Sequence, residues 1–218
     1  MHFVSLQGQQ QNVAVGKIVC VARNYAEHAR ELGNPLPDQA VLFIKPASSI
    51  LADGGTVVIP AYSSDCHHEL ELAVLIGRTG KDIAAADALA FVAGFGVALD
   101  LTLRDVQAEL KAKGLPWEIA KSFDTACPLS AFVPASEVAD PQRLRLRLHV
   151  NGELRQDGTT ADMLRPVARL ISEASHRFIL EAGDILLTGT PSGVGPIRSG
   201  DRLEAVIEGV GTLSVTVK

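Results

Sequence analysis

Residues 67–77 read HHELELAVLIG, and the layout of this stretch decides what the rest of the chain can be. Read as a strand, it puts Glu69 and Glu71 on one face, ahead of Ala73, Leu75 and Gly77. Leu70, Leu72, Val74 and Ile76 take the other face, because strand side chains alternate. Two like charges therefore stand at the end of a strand that is otherwise apolar on both faces. Two readings are open from these residues alone. The strand can emerge into water and leave two solvated acids. Alternatively, the carboxylates, about 7 Å apart at Cα, form part of a hard-cation site, since a divalent cation removes the repulsion between desolvated acids. Magnesium takes one or two protein carboxylates and keeps other positions for water and substrate oxygens. Such a site needs neither imidazole nor thiolate, so His67 and His68 are expected to be structural or supporting groups rather than ligands.

Outward from this strand the text is mainly β. KIVCVA is the clearest strand of the first 22 residues, and residues 41–77 look like strands broken by Pro46, Gly54-Gly55 and Pro60. RLRLRLHV alternates strictly, Asn151-Gly152 is a hairpin turn, and ELRQDG answers it. EAGDILLTG and RSGDRLEAVIEG echo each other as turn-then-strand units, too few for a repeat architecture. Three helices are expected. A short one follows Asn24 as cap, with Glu27 at the capping-box position and Tyr25, Ala29 and Leu32 as its buried stripe; Gly33 and Pro35 end it. A second begins near Thr102 with Asp105 at the capping-box position. Leu103, Val106 and Leu110 form its apolar side, Arg104, Gln107 and Lys111 the opposite one, and Gly114 with Pro116 stops it. A third covers about residues 162–176. The expected fold is α+β but mainly β, with mixed sheets closed into a roll or barrel.

Bulk composition removes several function classes. The chain has 218 residues, 47% of them hydrophobic, which is enough to bury a sizeable core. A net charge of −5, with no basic patch or aromatic platform, argues against nucleic acid. The longest apolar run, residues 88–99, is too short to span a bilayer, and the N-terminus lacks the basic start and apolar stretch of a signal peptide. Cys20, Cys66 and Cys127 are odd in number and form no CxxC pair, as suits a reducing compartment. A cytoplasmic protein without a membrane partner is expected.

Further residues can carry chemistry. Asp100 ends the most apolar segment and is either a turn acid or a third oxygen ligand beside Glu69 and Glu71. Arg104 and Gln107, one turn apart behind it, would then point to the same region, where a guanidinium can hold a carboxylate through two hydrogen bonds. His28 and Glu31 are spaced i, i+3: either a solvated helix face or a general-base dyad, in which a carboxylate orients an imidazole on a short, lid-like helix. Lys121 lies in an apolar-aromatic setting, snorkelling or functional. TGTPSGVG, residues 188–195, lacks the GK[ST] ending of a phosphate loop, but its N–H groups or the Thr190 hydroxyl can meet an anion. No GxSxG elbow is present.

Taken together, RNYAEHARELG, FIKP, HHELELAVLIG, GVALDLTLRDVQ, GLPWEIAKSFDTACP, VNGELRQDG and GDILLTGTPSGVG resemble the fumarylacetoacetate hydrolase family from about residue 17 to 210. The branch most similar is that of the short acylpyruvases and oxaloacetate decarboxylases. The resemblance implies one catalytic domain over residues 1–218, with a short N-terminal strand segment at about 1–16, rolled around a central metal site and assembled as a homodimer. It implies Mg2+ or Mn2+ held by Glu69, Glu71 and Asp100, a catalytic His28–Glu31 dyad with Lys121, and Arg23, Arg104, Gln107 and Thr190 around a small 2-oxo acid. The implied activity is acylpyruvate hydrolysis or oxaloacetate decarboxylation, with keto–enol tautomerisation as a further capability of the same groups. The alternatives are a fumarylpyruvate or maleylpyruvate hydrolase, a decarboxylase or isomerase of 2-oxo diacids, and a non-catalytic oxoacid-binding protein. One departure stands out: the glycine usual before RNY is Ala22 here, a concern if that position needs positive φ.

Overall fold

The computed structural model describes residues 2–10, 12–31, 33 and 36–218. Strand Leu70–Ile76 is the centre of a mixed eight-stranded sheet and is buried along its whole length. The strand order is Val41–Pro46, Lys17–Ala22, Ile185–Leu187, Leu70–Ile76, Val92–Leu99, Cys127–Leu129 and Ile50–Ala52, with Val133–Pro134 also on Val92–Leu99. Its alternation sorts into two cores. Leu70, Leu72, Val74 and Ile76 enter the larger, and Ala73 and Leu75 the smaller, beside Ile18, Phe132, Ile185 and Leu187. Both faces of the sheet are thus covered, which is why its strands read as continuous apolar text.

A five-stranded sheet of Glu153–Thr159, Arg145–Val150, Arg202–Ile207, Gly211–Val217 and Thr56–Val57 packs on the larger core. Its alternation is regular: Leu146, Leu148, Val150, Leu203, Ala205 and Ile207 are buried. The two turn-then-strand echoes are built alike. In each, the aspartate accepts a backbone N–H from three residues earlier, Glu181 to Asp184 at 2.8 Å and Arg198 to Asp201 at 2.7 Å. Together with helices α1 (Ala26–Glu31), α2 (Arg104–Ala112), α3 (Glu118–Lys121) and α4 (Val167–Ser175), the sheets form the expected mainly-β roll. Among the described residues no helix is long and apolar enough to cross a membrane.

Four local expectations change. Residues 67–77 are not one strand. Cys66–His68 pairs with Thr102–Leu103 and Gly195–Ile197 in a small separate sheet, and the chain switches sheets at Glu69. Asn24 does not cap α1: its side chain accepts the Arg165 N–H and donates to the carbonyls of Arg165 and Thr188. Asp105 closes no capping box with Thr102, which lies in a strand. Instead it accepts from Ser63 Oγ and Ser64 N, tying α2 to the preceding loop. The last helix starts at Val167, because Pro166 biases the residue before it away from helix. The termination of α2 is as expected. Leu115 N–H returns to Leu110 O and Gly114 N–H to Lys111 O, a Schellman closure. Leu32 and Pro35, expected in the stripe and end of α1, lie outside the described residues.

Candidate active site

The sheet switch at Glu69 and the antiparallel register of Leu70–Ile76 with Val92–Leu99 create the site. Leu70 pairs with Leu99 and Glu71 with Ala98, and Asp100 N–H then bonds Glu69 O at 2.8 Å, so Asp100 falls opposite Glu69. Each of Glu69, Glu71 and Asp100 is under 5% exposed, and they offer oxygens that all lie within 4.8 Å of one another. The reading of Glu69 and Glu71 as solvated acids is therefore excluded.

Three cations face the three acids. Lys121 Nζ lies 2.8 Å from both Glu69 Oε2 and Asp100 Oδ2, and Arg104 pairs with Glu69 Oε1. Lys45, completely buried, lies 2.9 Å from Asp100 Oδ1, but it donates its protons to the carbonyls of Leu101, Lys121 and Ala126. Asp100 Oδ1 therefore receives a neighbouring charge without a hydrogen bond, and it remains an unpartnered buried acceptor. Burial favours protonation of Glu69, but Arg104 and Lys121 outweigh it and hold its pKa well below the usual carboxylate range. Among the described residues Glu71 receives only the Gly189 N–H, at 2.6 Å. Burial, then Asp100 and Glu69, push its pKa well up. An all-oxygen buried set with one orphaned acceptor and one repelled carboxylate fits a hard divalent cation of the Mg2+ or Mn2+ class. His67 and His68 do not join it: His67 Nε2 meets Asp65 and His68 Nδ1 meets Gln156.

The acids floor a cleft that Arg23, His28, Arg104, Gln107, Lys111, Trp117, Lys121 and Thr190 also line. His28 is buried, so α1 does not offer it as part of a solvated face. Its Nδ1 lies 3.4 Å from Glu31 Oε2, and Glu31 also accepts the Gly193 N–H at 3.2 Å, outside the cleft lining. With Nδ1–H turned to the carboxylate, Nε2 is the basic nitrogen. Burial lowers the imidazole pKa, and Glu69 and the Glu31 hydrogen bond partly oppose that. Lys121 behaves oppositely: burial disfavours its charge, but Asp100 and Glu69 raise its pKa, so it stays a fixed cation. Arg104 Nη1 donates to Gln107 Oε1 at 3.1 Å, so α2 presents the two side chains as one unit.

The loop 188–195 spends its N–H groups on the site's own carboxylates, Gly189 on Glu71 and Gly193 on Glu31. Gly189 sits at φ 91°, and a Cβ there would come 2.7 Å from Asn24 Cβ, so glycine is required. Ala22, by contrast, is an ordinary strand residue paired with Val41; the left-handed position is Arg23, at φ 59°. A non-glycine residue there is backbone strain at the site.

Three supporting residues escaped the sequence reading. Lys45 was visible only as part of FIKP. Helical spacing puts Lys111 on the polar side of α2 but gives it no role. Gln156 is completely buried because a β-bulge between Leu148 and His149 shifts the register of the facing strand. Its Oε1 accepts from Leu70 N and His68 Nδ1, both at 3.0 Å. Its Nε2 donates to Thr190 Oγ1 at 2.8 Å and Pro191 O at 3.0 Å. Because Thr190 Oγ1 accepts here, its own O–H is left to point elsewhere.

Similarity to known proteins is extensive. The family described as "Fumarylacetoacetate (FAA) hydrolase C-terminal" matches residues 17–218. A mouse protein named "Oxaloacetate tautomerase FAHD1, mitochondrial" is 50% identical over 201 residues, 92% of this chain and 91% of its own. "Oxaloacetate tautomerase YcgM" of Escherichia coli K12 is 50% identical over 204 residues, 93% of each. Among solved structures, a fumarylpyruvate hydrolase from Pseudomonas aeruginosa in complex with Mn2+ and pyruvate is 39% identical. It superposes with a TM-score of 0.94 over 100% of this chain and 96% of its own.

Proposed function

The chain belongs to the fumarylacetoacetate hydrolase family, and from that premise we propose that it is a divalent-metal-dependent enzyme of small 2-oxo acids. Its central chemistry is proton transfer next to the 2-oxo group, with keto–enol tautomerisation of oxaloacetate as the first activity. The observation that carries this reading is the buried His28 imidazole in the same cleft as the three carboxylates, with the more exposed Glu31 carboxylate against its Nδ1 from outside that cleft. A pure oxoacid binder needs no general base. The names of the relatives at 50% identity point to the same reaction.

Glu69, Glu71 and Asp100 would hold Mg2+ or Mn2+, which when bound supplies Lewis-acid stabilisation of the 2-oxo group as negative charge builds there. Arg104 and Gln107 would orient the substrate carboxylate, and the free Thr190 O–H would donate to a substrate oxygen. His28 Nε2 takes the proton from C3 while Glu31 stabilises the imidazolium through Nδ1–H. Lys121, permanently charged, stabilises the enolate, and His28 delivers the proton to the 2-oxygen to give the enol, or takes the reverse course from enol to keto form. The same groups serve C–C cleavage. If His28 deprotonates a water attacking the 4-carbonyl of an acylpyruvate, C3–C4 cleavage releases pyruvate as its enolate. Loss of the far carboxyl of oxaloacetate as CO2 leaves that enolate too. The fumarylpyruvate hydrolase superposing over the whole chain supports hydrolysis as a second reading.

The test is to incubate purified protein and Mg2+ with oxaloacetate, acetylpyruvate and fumarylpyruvate, following enol absorbance and pyruvate release. His28→Ala is expected to lower turnover by about two to four orders of magnitude, the scale of general-base loss. Turnover of none of the three acids by the unaltered protein overturns the reading in favour of an oxoacid binder.

A further inference from the structure

The cations that line the cleft fall into two groups. Arg104 and Lys121 already have carboxylate partners, Arg104 on Glu69 and Lys121 on Glu69 and Asp100, and Arg104 keeps only its Nε–H unpartnered. Arg23 and Lys111 line the same cleft, yet among the described residues neither side chain forms an ion pair or a hydrogen bond. Like charges brought together without a counter-ion repel. The Lys111 ammonium is held below its ordinary pKa first by burial of its stem, then by Arg23, Arg104 and Lys121.

Lys111 is also not a freely waving surface lysine. Helix α2 carries Arg104, Gln107 and Lys111 on one side, one turn apart each, so Lys111 continues the line of substrate-facing groups outward. Its Nζ lies over the Trp117 ring, 5.2 Å from the centroid. Trp117 packs on Phe43 with centroids 6.1 Å apart, and Lys121 Nζ stands 4.9 Å over Phe43. The aromatic pair thus sets an inner ammonium and an outer one over adjacent rings. The inner charge is neutralised by the acids and the outer one is free.

We propose that Lys111, with Arg23, forms a second anion subsite at the mouth of the cleft, which binds the far carboxylate of a dianionic 2-oxo acid. Lys111 is then a specificity-determining residue that favours dicarboxylates over 2-oxo acids with an uncharged far end. The inference rests on the 2-oxo acid reading above.

The test compares oxaloacetate with acetylpyruvate in the Mg2+-loaded enzyme and its Lys111→Met and Lys111→Arg variants; methionine keeps an apolar stem on Trp117. Lys111→Met is expected to lower the oxaloacetate-over-acetylpyruvate kcat/KM ratio about tenfold, chiefly through the KM for oxaloacetate, the scale of one charge-assisted contact at a partly solvated rim. Lys111→Arg is expected to recover most of the ratio. A ratio within about twofold of the parent, or a loss shared equally by both acids, overturns the subsite and leaves the proposed activity standing. Calorimetric binding of malate and lactate, unreactive acids that differ at the far carboxylate, decides the matter independently of turnover. A preference for malate that Lys111→Met removes supports the subsite even if neither oxoacid is converted. No preference for malate in the parent protein overturns it.

Discussion

Gln156→Leu isolates the contribution of one bulged residue to both fold and site. All four hydrogen-bonding positions of the amide are used, and the side chain is completely buried. Leucine has nearly the same volume, so little cavity term is expected. The Thr190 hydroxyl and the His68 imidazole can reorient towards new partners. Leu70 N–H and Pro191 C=O cannot, because Leu70 is fixed in the central sheet by its register with Leu99, and Pro191 is buried in the loop behind the site. Each stranded backbone group costs about 1–3 kcal/mol, which places the destabilisation at about 2–6 kcal/mol. That is a large part of the 5–15 kcal/mol typical of folded chains. The urea midpoint should fall by about 1–2 M, with an unchanged slope if the native and unfolded states keep their compactness. A Gln156→Leu midpoint indistinguishable from that of the parent would refute the claim that this amide clips the Glu69–Glu71 strand to the Thr190 loop.

Two further outcomes follow from buried charges. Lys45→Met leaves Asp100 Oδ1 without its neighbouring charge and takes the Nζ donor from the carbonyls of Leu101, Lys121 and Ala126, of which Ala126 keeps the Leu101 N–H. It should cost about 3–5 kcal/mol, the scale of breaking a buried pair from one side, and chemical denaturation giving less than about 1 kcal/mol would contradict this. The pH dependence of kcat/KM should show an acid limb with its midpoint below 6.5, since burial holds the His28 imidazole below that ordinary value and only the neutral ring is a base. Activity is then retained above the limb and lost as pH falls through it. Glu31→Gln removes an upward pull on the imidazole, so its limb should move to still lower pH, with a reduced plateau. A limb at or above 6.5 in the parent enzyme would point to another titrating group.

Local pattern carried much of the architecture. Alternation at period two is a property of any strand, so the shared side of Glu71, Ala73 and Leu75, the regular second sheet and the Asn151-Gly152 hairpin were all legible before any contact was known. The same holds for the line of Arg104, Gln107 and Lys111, which helical spacing alone places together. The roles proposed for His28, Glu31 and Lys121 came only from resemblance to a family, since a helical i, i+3 pair and a lone lysine are ambiguous as text. Short polar residues misled where they had local and distant options. Asn24 and Asp105 look like helix caps, but Asn24 is spent on Arg165 and Thr188, and Asp105 on Ser63 and Ser64.

By itself, then, the sequence determined the strand and helix periodicities, the pairing of Glu69 with Glu71 on one side, and the all-oxygen chemistry they offer. Tertiary structure alone decided that Asp100 lies opposite Glu69, because that depends on the register between strands. It also decided that a bulge turns Gln156 inward, that Lys45 stands behind Asp100, and that Lys111 and Arg23 line one cleft. Each of these is a contact between residues far apart in the chain. Its free energy belongs to the packed sheets, and no local window of residues carries it.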